Sequence, residues 1–394
     1  MAYVKKADRP AAGHGGAKER SQKNATIMQI FSEVDELNED GALLSEDTSL
    51  SIVTDWIDTG SYTLNAIFSG SLYKGIPRGR ITGFVGPSQS GKTLIINKII
   101  ANAQKKGYFA AVWDTEVAID RQTCEAIGVD PQRLKYYPVE SVEECRNQIS
   151  AFLDKIIAAN DPDLDVIIAI DSLGNLASAK ELRDVAEGKD AADMGLKAKA
   201  LKSMMRALTF KAAKARVPIV FTNHIYDNPQ SLYPELVKKQ SGGSGPLYLA
   251  SLLVQLATRN EKIDKNMDEE SIAVAHSVSG VTLSAMTVKN RFAPPFLKCE
   301  LYNNFRTGLS RYAGLKEMAV AFGIIVATGS TFTLNGEKIG YAKTWENDPE
   351  FWDKRVLPEL EKALNEKVKF GGQHAGVEIA PTPLVPTETV LLEE

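Results

Sequence analysis

The stretch from residue 86 to residue 93 constrains this chain most, because its glycines, lysine and threonine have the spacing of a phosphate-binding loop. A short apolar strand is predicted before it, over 81–85, and a helix after it, over 93–104. Glycines let the backbone turn its N–H groups towards a phosphate chain, and the following helix presents its positive end to the same anion. This context favours a nucleoside triphosphate site over a chance turn rich in glycine and serine.

The residues of this loop have expected roles at the nucleotide. The predicted nucleotide-binding residues are Gly86, Pro87, Ser88, Gln89, Ser90, Gly91, Lys92, Thr93 and Leu94. Lys92 is placed for the β- and γ-phosphates and is a catalytic candidate, whereas the Thr93 hydroxyl is placed for Mg²⁺. We therefore predict ATP and Mg²⁺ as cofactors.

Composition sets broad bounds on the function. The chain has 394 residues, of which 44% are hydrophobic, enough for one large domain or two domains. Its three cysteines lie far apart, which argues against a zinc site or a disulfide framework and fits a reducing cytosol. No apolar run reaches the roughly 18–20 residues of a membrane span. We expect a cytoplasmic protein without a membrane partner, and the net charge of −4 argues only weakly against nucleic acid.

Buried strands alternate with helices along the middle of the chain. Five segments are apolar or β-branched at nearly every position, namely 81–85, 109–114, 166–171, 219–223 and 252–258. Helices are predicted between them at 93–104, 121–126, 142–159 and 196–215, and two later strands at 281–289 and 296–301. Such strands are typical of parallel sheets, so the pattern predicts an α/β fold with a mostly parallel, doubly wound sheet.

The composition changes towards both ends of the chain. Residues 1–25 are predicted to be a disordered tail, residues 26–50 an N-terminal arm and residues 51–313 the core. Residues 314–370 are predicted to form a small α+β module, with a helix at 315–322, a strand pair around Gly336 and a final helix at 351–367. Residues 371–394 are predicted to be a flexible acidic tail.

Polar side chains stand at the ends of three predicted strands. Asp171 ends one strand, an arrangement typical of Mg²⁺ binding. Glu116 follows another and is a candidate to deprotonate the attacking water, although spacing alone leaves a surface carboxylate equally open. His224 follows a third, where it can donate a hydrogen bond to the γ-phosphate. Since carboxyl ends of parallel strands line the ligand crevice, we expect the three side chains to meet.

The predicted helix at 196–215 has a cationic face. Lys199, Lys202 and Arg206 fall within about 60° of one another at 100° per residue, and Leu201, Met205, Leu208 and Ala212 lie on a face roughly 120° away. Two predicted long loops flank this helix, 177–194 and 225–245, and long loops are often functional. Basic residues and glycines suit backbone phosphates, and Met194 suits an apolar wedge between bases. From this chemistry alone, a nucleic-acid surface and a solvated helix face stay equally open.

Together these motifs resemble the RecA recombinase family, and especially the phage UvsX-type recombinases. The resemblance covers roughly residues 26–365. It is carried by 58–65 with 79–81, by 114–116 continuing to 128–131, by 171–178 and by 193–196. It is carried further by 223–224, by 242–243 and by 288–292 with 295–296.

The resemblance implies roles for residues at the nucleotide. Glu116 matches the catalytic glutamate. His224 stands where RecA has the glutamine of its sensor pair, and UvsX-type proteins resemble this chain in having a histidine there. Lys289 and Arg291 match cations that act on a neighbouring subunit's nucleotide, like arginine fingers. Asp120 matches a carboxylate near the adenine amino group, but Thr123 replaces an adenine-stacking tyrosine.

The resemblance also implies a DNA-binding surface. Met194 and Gly195 match the end of the first DNA-binding loop, and Gly242 and Gly243 the glycine pair that ends the second. Lys199, Lys202 and Arg206 would face the filament axis. Tyr226 replaces a basic residue of RecA, so the contacts of the second loop do not carry over.

The function implied is that of a DNA-dependent ATPase, active in DNA recombination and repair. It would form a helical filament on single-stranded DNA and would catalyse homologous pairing and strand exchange with duplex DNA. The apolar segment of the N-terminal arm would pack on the adjacent protomer, and a self-packed arm is the alternative. Single-strand-binding and loader proteins are further candidate partners, and the resemblance suggests a bacteriophage source. A hexameric helicase with the RecA fold and a non-catalytic recombination mediator or paralog are the alternatives.

Overall fold

The computed structural model describes residues 17–42, 50–117, 119–189, 195–226, 237–241, 243, 245–263, 278–304 and 308–368. The chain divides into two compact units, residues 1–52 and residues 53–394. Among the described residues, no helix combines the length and apolar character that crossing a bilayer requires.

Helix α1 (Ala17–Asp35) belongs to the first unit. It begins inside the segment predicted to be disordered, because residues 17–25 include alanine, lysine, glutamate, arginine and glutamine, which favour helix. The apolar side chains of its second half are about half exposed, namely Ile27, Met28, Ile30, Phe31 and Val34. At spacings of three and four residues, most of them share one helix face.

Among its described residues, the second unit contains one large sheet and two small ones. Its strands are β1 (Trp56–Ile57), β2 (Ile76–Pro77), β3 (Ile81–Gly86), β4 (Phe109–Asp114), β5 (Leu134–Pro138), β6 (Val166–Asp171), β7 (Ile219–Tyr226), β8 (Lys239–Gln240), β9 (Leu252–Ile263), β10 (Val278–Asn290), β11 (Lys298–Asn304), β12 (Gly308–Leu309), β13 (Ile325–Thr328), β14 (Thr331–Leu334) and β15 (Glu337–Tyr341). Its helices are α2 (Tyr62–Ser69), α3 (Lys92–Lys105), α4 (Arg121–Ile127), α5 (Val142–Ala159), α6 (Ala179–Ala186), α7 (Leu196–Ala215), α8 (Gly245–Leu249), α9 (Leu315–Ala321), α10 (Pro349–Phe351) and α11 (Leu357–Lys367).

Within the described residues, ten strands form one sheet in the order β12-β11-β10-β9-β3-β7-β6-β4-β5, with β8 beside β7. Strands β9, β3, β7, β6, β4 and β5 are parallel, whereas β10, β11 and β12 continue the sheet antiparallel. Helices α3 and α4 cover one face and helices α5 and α7 the other. The predicted α/β fold with a mostly parallel, doubly wound sheet is confirmed.

Alternate residues of the central strand β3 enter the two cores. Phe84 packs with the α3 side, and Ile81 and Val85 pack with the α7 side. Between them, a Cβ on Gly83 would lie 2.3 Å from the Phe221 ring. Gly83 therefore lets β7 carry a large aromatic beside the strand that leads into the phosphate-binding loop.

Helix α7 has the two faces that its periodicity predicts. The apolar residues Leu201, Met205, Leu208 and Ala212 are all at most 1% exposed. The cationic face, formed by Lys199, Lys202 and Arg206, is exposed.

The predicted long loop at 177–194 is wrong in part, because α6 lies within it. Ser178 caps this helix by accepting a hydrogen bond from the Glu181 N–H, and the Glu181 carboxylate accepts one from the Ser178 N–H. This capping box satisfies two backbone donors at the helix start, which a loop would leave to water.

The C-terminal module is more complex than predicted. Its sheet has a third strand, β13, beside the predicted pair. The final helix is interrupted by a π-helical turn at Trp352–Val356, directly before α11. Pro358, near the start of α11, cannot donate the backbone hydrogen bond that a continuous helix needs. Trp352 and Leu360 share a core with Tyr62 of α2, so the module is packed onto the main body.

One carboxylate ties this module to the main body. Glu361 of α11 accepts hydrogen bonds of 2.7 Å from the Ser71 hydroxyl and 2.7 Å from the Leu72 N–H. Both donors lie in the turn after α2, so this contact joins residues almost 300 positions apart in the chain.

We predict that Glu361→Ala lowers the free energy of unfolding by about 1.5–3 kcal/mol, because it removes hydrogen bonds to a charged group. Urea denaturation measures the change. Glu359→Ala, at an exposed position of the same helix, is the matched control and should cost less than about 0.5 kcal/mol. Equal effects of the two substitutions would contradict the assigned contact.

Candidate functional site

The phosphate-binding loop connects β3 to α3 as the sequence predicts. Gly91, the residue before the helix, has a φ of +76°, which glycine adopts without strain. A Cβ on Gly86 would lie 2.4 Å from the Ser90 hydroxyl and 3.0 Å from the Leu256 carbonyl oxygen. The Ser90 hydroxyl is buried without a hydrogen-bond partner among the described residues. A tight cradle with a free buried donor fits an anion such as a phosphate chain.

Lys92 is held at the mouth of this loop. Its ammonium group donates to the carbonyl oxygens of Gly86 and Pro87 at 3.1 and 2.7 Å. Burial lowers the pKa of Lys92, and the negative charges of Asp171 and Glu116 oppose that change. A phosphate beside this side chain would favour its charged form further.

Asp171 joins three elements at the end of β6. Its carboxylate accepts a hydrogen bond of 2.7 Å from the Thr93 hydroxyl of α3 and another from the Thr222 hydroxyl of β7. Burial raises the pKa of Asp171, the two hydroxyls oppose this, and the charges of Glu116 and Asp114 add to it.

The Asp171–Thr93 pair is suited to Mg²⁺. No group of three metal-binding side chains occurs within the described residues. Mg²⁺ usually takes one or two carboxylates together with substrate phosphates and waters. The donors here are one carboxylate and one hydroxyl beside a phosphate-binding loop, which fits this usual coordination of Mg²⁺.

Glu116 lies in the same crevice, two residues after β4. One of its carboxylate oxygens accepts a hydrogen bond of 3.0 Å from the Ser172 hydroxyl, and His224 Nε2 lies 3.3 Å from the same oxygen. Both Glu116 and His224 are one-third exposed. The strand ends therefore bring together the three side chains that the sequence analysis expected to meet.

His224 is linked to the two segments predicted to bind DNA. The Asn223 side chain accepts from the His224 N–H and donates to the Ser241 carbonyl oxygen at 3.0 Å. Gly174 packs directly against these residues, because a Cβ there would lie 3.0 Å from the His224 ring. The Gly174 carbonyl oxygen accepts a hydrogen bond of 2.6 Å from Lys197, in the first turn of α7.

The described DNA-binding candidates lie on or beside α7. Gly195 precedes the helix with a φ of +80°, and Gly243 also has a φ of +80°, with its Cβ position 3.1 Å from Ala198. Gly245 packs equally closely on Lys202. The glycines and the cationic face of α7 are therefore neighbours, whereas Met194 and Gly242 lie outside the described residues.

Lys289 and Arg291 lie at the edge of the sheet where the parallel strands begin, whereas their own phosphate-binding loop lies at the edge where these strands end. In the β9–β10 ladder, Lys289 pairs with Leu253 and Asn290 with Leu252, the first residue of β9. Strand β9 runs parallel to β3, so this is the edge where the parallel strands begin. The phosphate-binding loop follows the other ends of these strands.

Three cations lie close together at this second edge, namely Arg80, Lys289 and Arg291. The Lys289 ammonium donates to the carbonyl oxygens of Leu247, at 3.1 Å, and Tyr248. Burial, with a contribution from the charge of Arg291, lowers the pKa of Lys289 to about 8. Burial and Arg291 also lower the pKa of Arg80. Such a cluster of like charges favours the binding of an anion.

Asp120 has a structural role in addition to the predicted one. It caps α4, where its carboxylate accepts from the Thr123 hydroxyl and, at 2.9 Å, from the Thr123 N–H. These hydrogen bonds lower the pKa of Asp120. A contact with adenine stays a prediction, as do the predicted contacts of Ser88, Gln89 and Leu94.

Several site residues escaped the sequence analysis. Ser172 adjoins the predicted Asp171 and Thr222 lies two residues before the predicted His224, but in the sequence only their hydroxyl groups indicate a role. Lys197 lies outside the stripe formed by Lys199, Lys202 and Arg206, so the cationic pattern in the sequence does not indicate it.

A family model described as the RecA N-terminal domain matches residues 25–310. Protein RecA of Thermus aquaticus is 30% identical over 355 residues, covering 89% of this chain and 94% of the relative. Protein RecA of Saccharopolyspora erythraea is 31% identical over 333 residues, covering 83% and 88%, and that of Arthrobacter sp. (strain FB24) is 30% identical over 332 residues, covering 83% and 86%.

We predict that Lys289 reacts with amine reagents at unusually low pH. With a pKa of about 8, about half of its amine is neutral at pH 8. An ordinary lysine, with a pKa near 10.4, is only about 0.4% neutral at pH 8, which is about two orders of magnitude less than Lys289. Competitive labelling with acetic anhydride and mass spectrometry gives the midpoint for each lysine peptide, and a midpoint above about 9.5 for Lys289 would contradict the burial described here.

Proposed function

The chain belongs to the RecA family, and on that basis we propose that it is an ATP-dependent recombinase of DNA recombination and repair. We infer that it polymerises on single-stranded DNA and catalyses pairing and strand exchange with a homologous duplex. The observation that carries the proposal is the split site: Lys92 and Glu116 lie at one edge of the sheet, and Lys289 and Arg291 at the other.

In this proposal the chain's own side chains bind and orient ATP. The N–H groups of the loop and the start of α3 bind the phosphates, and Lys92 leaves its carbonyl acceptors for the β- and γ-phosphates. Thr93 and Asp171 would hold Mg²⁺, which supplies charge neutralisation at the phosphates. The Thr222 hydroxyl would keep Asp171 oriented if the Thr93 hydroxyl bound the metal.

In this proposal, Glu116 is the base that activates water for ATP hydrolysis. Its carboxylate accepts a proton from a water molecule while the water oxygen attacks the γ-phosphorus, and the bond to the bridging oxygen breaks to give ADP and phosphate. Ser172 and His224 both approach one oxygen of Glu116. The other oxygen is therefore the one left for the water.

The cations at the second edge complete a neighbour's site in this proposal. A chain whose phosphate loop and transition-state cations lie at opposite edges of one sheet cannot bring them together itself. Stacking one copy on the next brings the second edge of one protomer to the loop of another, and repetition gives a filament. Moving Lys289 next to phosphates raises its pKa and restores its charge.

DNA binding is proposed for the surface formed by α7 and the neighbouring glycines. Lys199, Lys202 and Arg206 are exposed there, and such cations bind backbone phosphates without sequence preference. The apolar face of α1 is proposed to pack on an adjacent protomer. The closeness to UvsX-type proteins, a phage source and the loader partners stay predictions.

Electron microscopy tests this function. With single-stranded DNA, ATP and Mg²⁺, we expect continuous helical filaments, whereas a helicase would give closed rings and a mediator neither. Lys92→Ala should abolish nucleotide-dependent filaments, because it removes the cation that binds the phosphates. Rings formed by the unaltered chain, or ATP-dependent filaments of Lys92→Ala, would contradict the proposal.

The split site predicts complementation between two inactive variants. Glu116→Gln lacks the base, and a Lys289→Ala, Arg291→Ala double variant lacks the cations. In a random one-to-one mixture, about one interface in four combines both intact halves, so we expect up to about a quarter of the original DNA-dependent ATPase rate. Each variant alone is the control. Mixed filaments without recovered activity would show that the cations do not act between subunits.

A further inference from the structure

The carboxylate of Asp114 is enclosed by the loop that carries Glu116. Asp114 ends β4 and is 1% exposed. Its Oδ1 accepts from the N–H groups of Glu116 at 2.8 Å and Val117 at 3.1 Å. Its Oδ2 accepts from the N–H of Ile119 at 3.2 Å and the Tyr136 hydroxyl at 3.3 Å.

The loop around Asp114 has an unfavourable backbone conformation. Val117 has a φ of +52°, a region in which a β-branched residue is a clear outlier. Its side chain is 76% exposed, so packing does not impose the conformation. Instead, the N–H groups of Glu116, Val117 and Ile119 are held inward by their hydrogen bonds to Asp114. Local strain of this kind occurs where a structure fixes a functional group.

The group fixed here is Glu116. Its main-chain N–H is held by Asp114, and its side chain is held by Ser172 and His224. Asp114 therefore sets where the Glu116 backbone lies, and the other two contacts set where its carboxylate points. Because the Asp114 oxygens are occupied by donors of the protein, this carboxylate is not itself placed to receive a proton from water.

We propose that Asp114 is a positioning residue for ATP hydrolysis, acting through Glu116. The proposal rests on the proposed function, in which Glu116 is the base. Two consequences separate this role from a general structural one. Loss of Asp114 slows the chemical step without weakening ATP binding, and it has no further effect once Glu116 is already disabled.

The first test is Asp114→Asn in the full chain, assayed for ATPase activity with single-stranded DNA. An amide keeps one acceptor oxygen but replaces the other with a donor, so either the Glu116 and Val117 pair or the Ile119 and Tyr136 pair loses its acceptor. We expect kcat to fall by about tenfold or more, because a misplacement of the base near 1 Å is costly, while KM for ATP stays within about twofold. Tyr136→Phe, which removes one donor and leaves the loop N–H bonds, is the control and should keep most of kcat.

The second test is a double-mutant cycle, followed by single-turnover hydrolysis of labelled ATP. If Asp114 acts through Glu116, Asp114→Asn with Glu116→Gln is no slower than Glu116→Gln alone. Multiplicative losses, a parallel rise in KM, or an unchanged kcat in both Asp114→Asn and Asp114→Ala, which removes both acceptor oxygens, would overturn the proposal. Asp114→Ser, a smaller acceptor, replaces the asparagine variant if thermal unfolding shows that the latter does not fold. An unaltered chain without DNA-dependent ATPase activity would instead refute the proposed function.

Discussion

The buried carboxylate of Asp171 is the contact on which the site depends. It lies at the end of β6 and is held by hydroxyls from α3 and from β7, so one side chain fixes the relative positions of three elements. Burial raises its pKa, whereas the hydrogen bonds from Thr222 and Thr93 favour the charged form. A charge kept under such conditions is strongly attracted to a metal ion, because little water competes for it.

Much of the fold follows from the sequence, for identifiable reasons. The strands at Phe109–Asp114 and Val166–Asp171 and the helices at Val142–Ala159 and Leu196–Ala215 have the predicted bounds. The strands are apolar throughout because both faces are covered, and the helices have one buried face. The sequence does not predict β5 because it is an edge strand with half-exposed residues. It does not predict α2 because this short helix is buried on every side, including its polar residues Thr63, Asn65 and Ser69.

The site was predictable to the level of strand ends and no further. Glu116, Asp171 and His224 meet because parallel strands end at a common edge. The contacts of Thr222 and Ser172 depend on register and on side-chain direction, which spacing does not give. The location of Lys289 depends on β10 running antiparallel to β9. A residue near the end of β10 therefore lies beside the start of β9 and of the parallel strands. The resemblance implies a role for Lys289 on a neighbouring subunit's nucleotide, and the ladder supports that proposal because it places Lys289 away from the chain's own phosphate-binding loop.

The geometry also limits how nucleotide and DNA can influence each other. His224 is bonded to Ser241 through main-chain atoms and through Asn223, and Gly174 separates it from Lys197 at the start of α7. The contact with Ser241 and the packing of Gly174 involve backbone atoms, which transmit a displacement of under an ångström better than long side chains do, whereas the step from Gly174 to α7 runs through the Lys197 side chain. A shift of His224 on loss of a γ-phosphate would therefore reach Ser241 first, and the first turn of α7 only through Lys197. In the proposed filament these are the places where each protomer meets DNA, so the hydrolysis step and the release of DNA would share one small group of atoms.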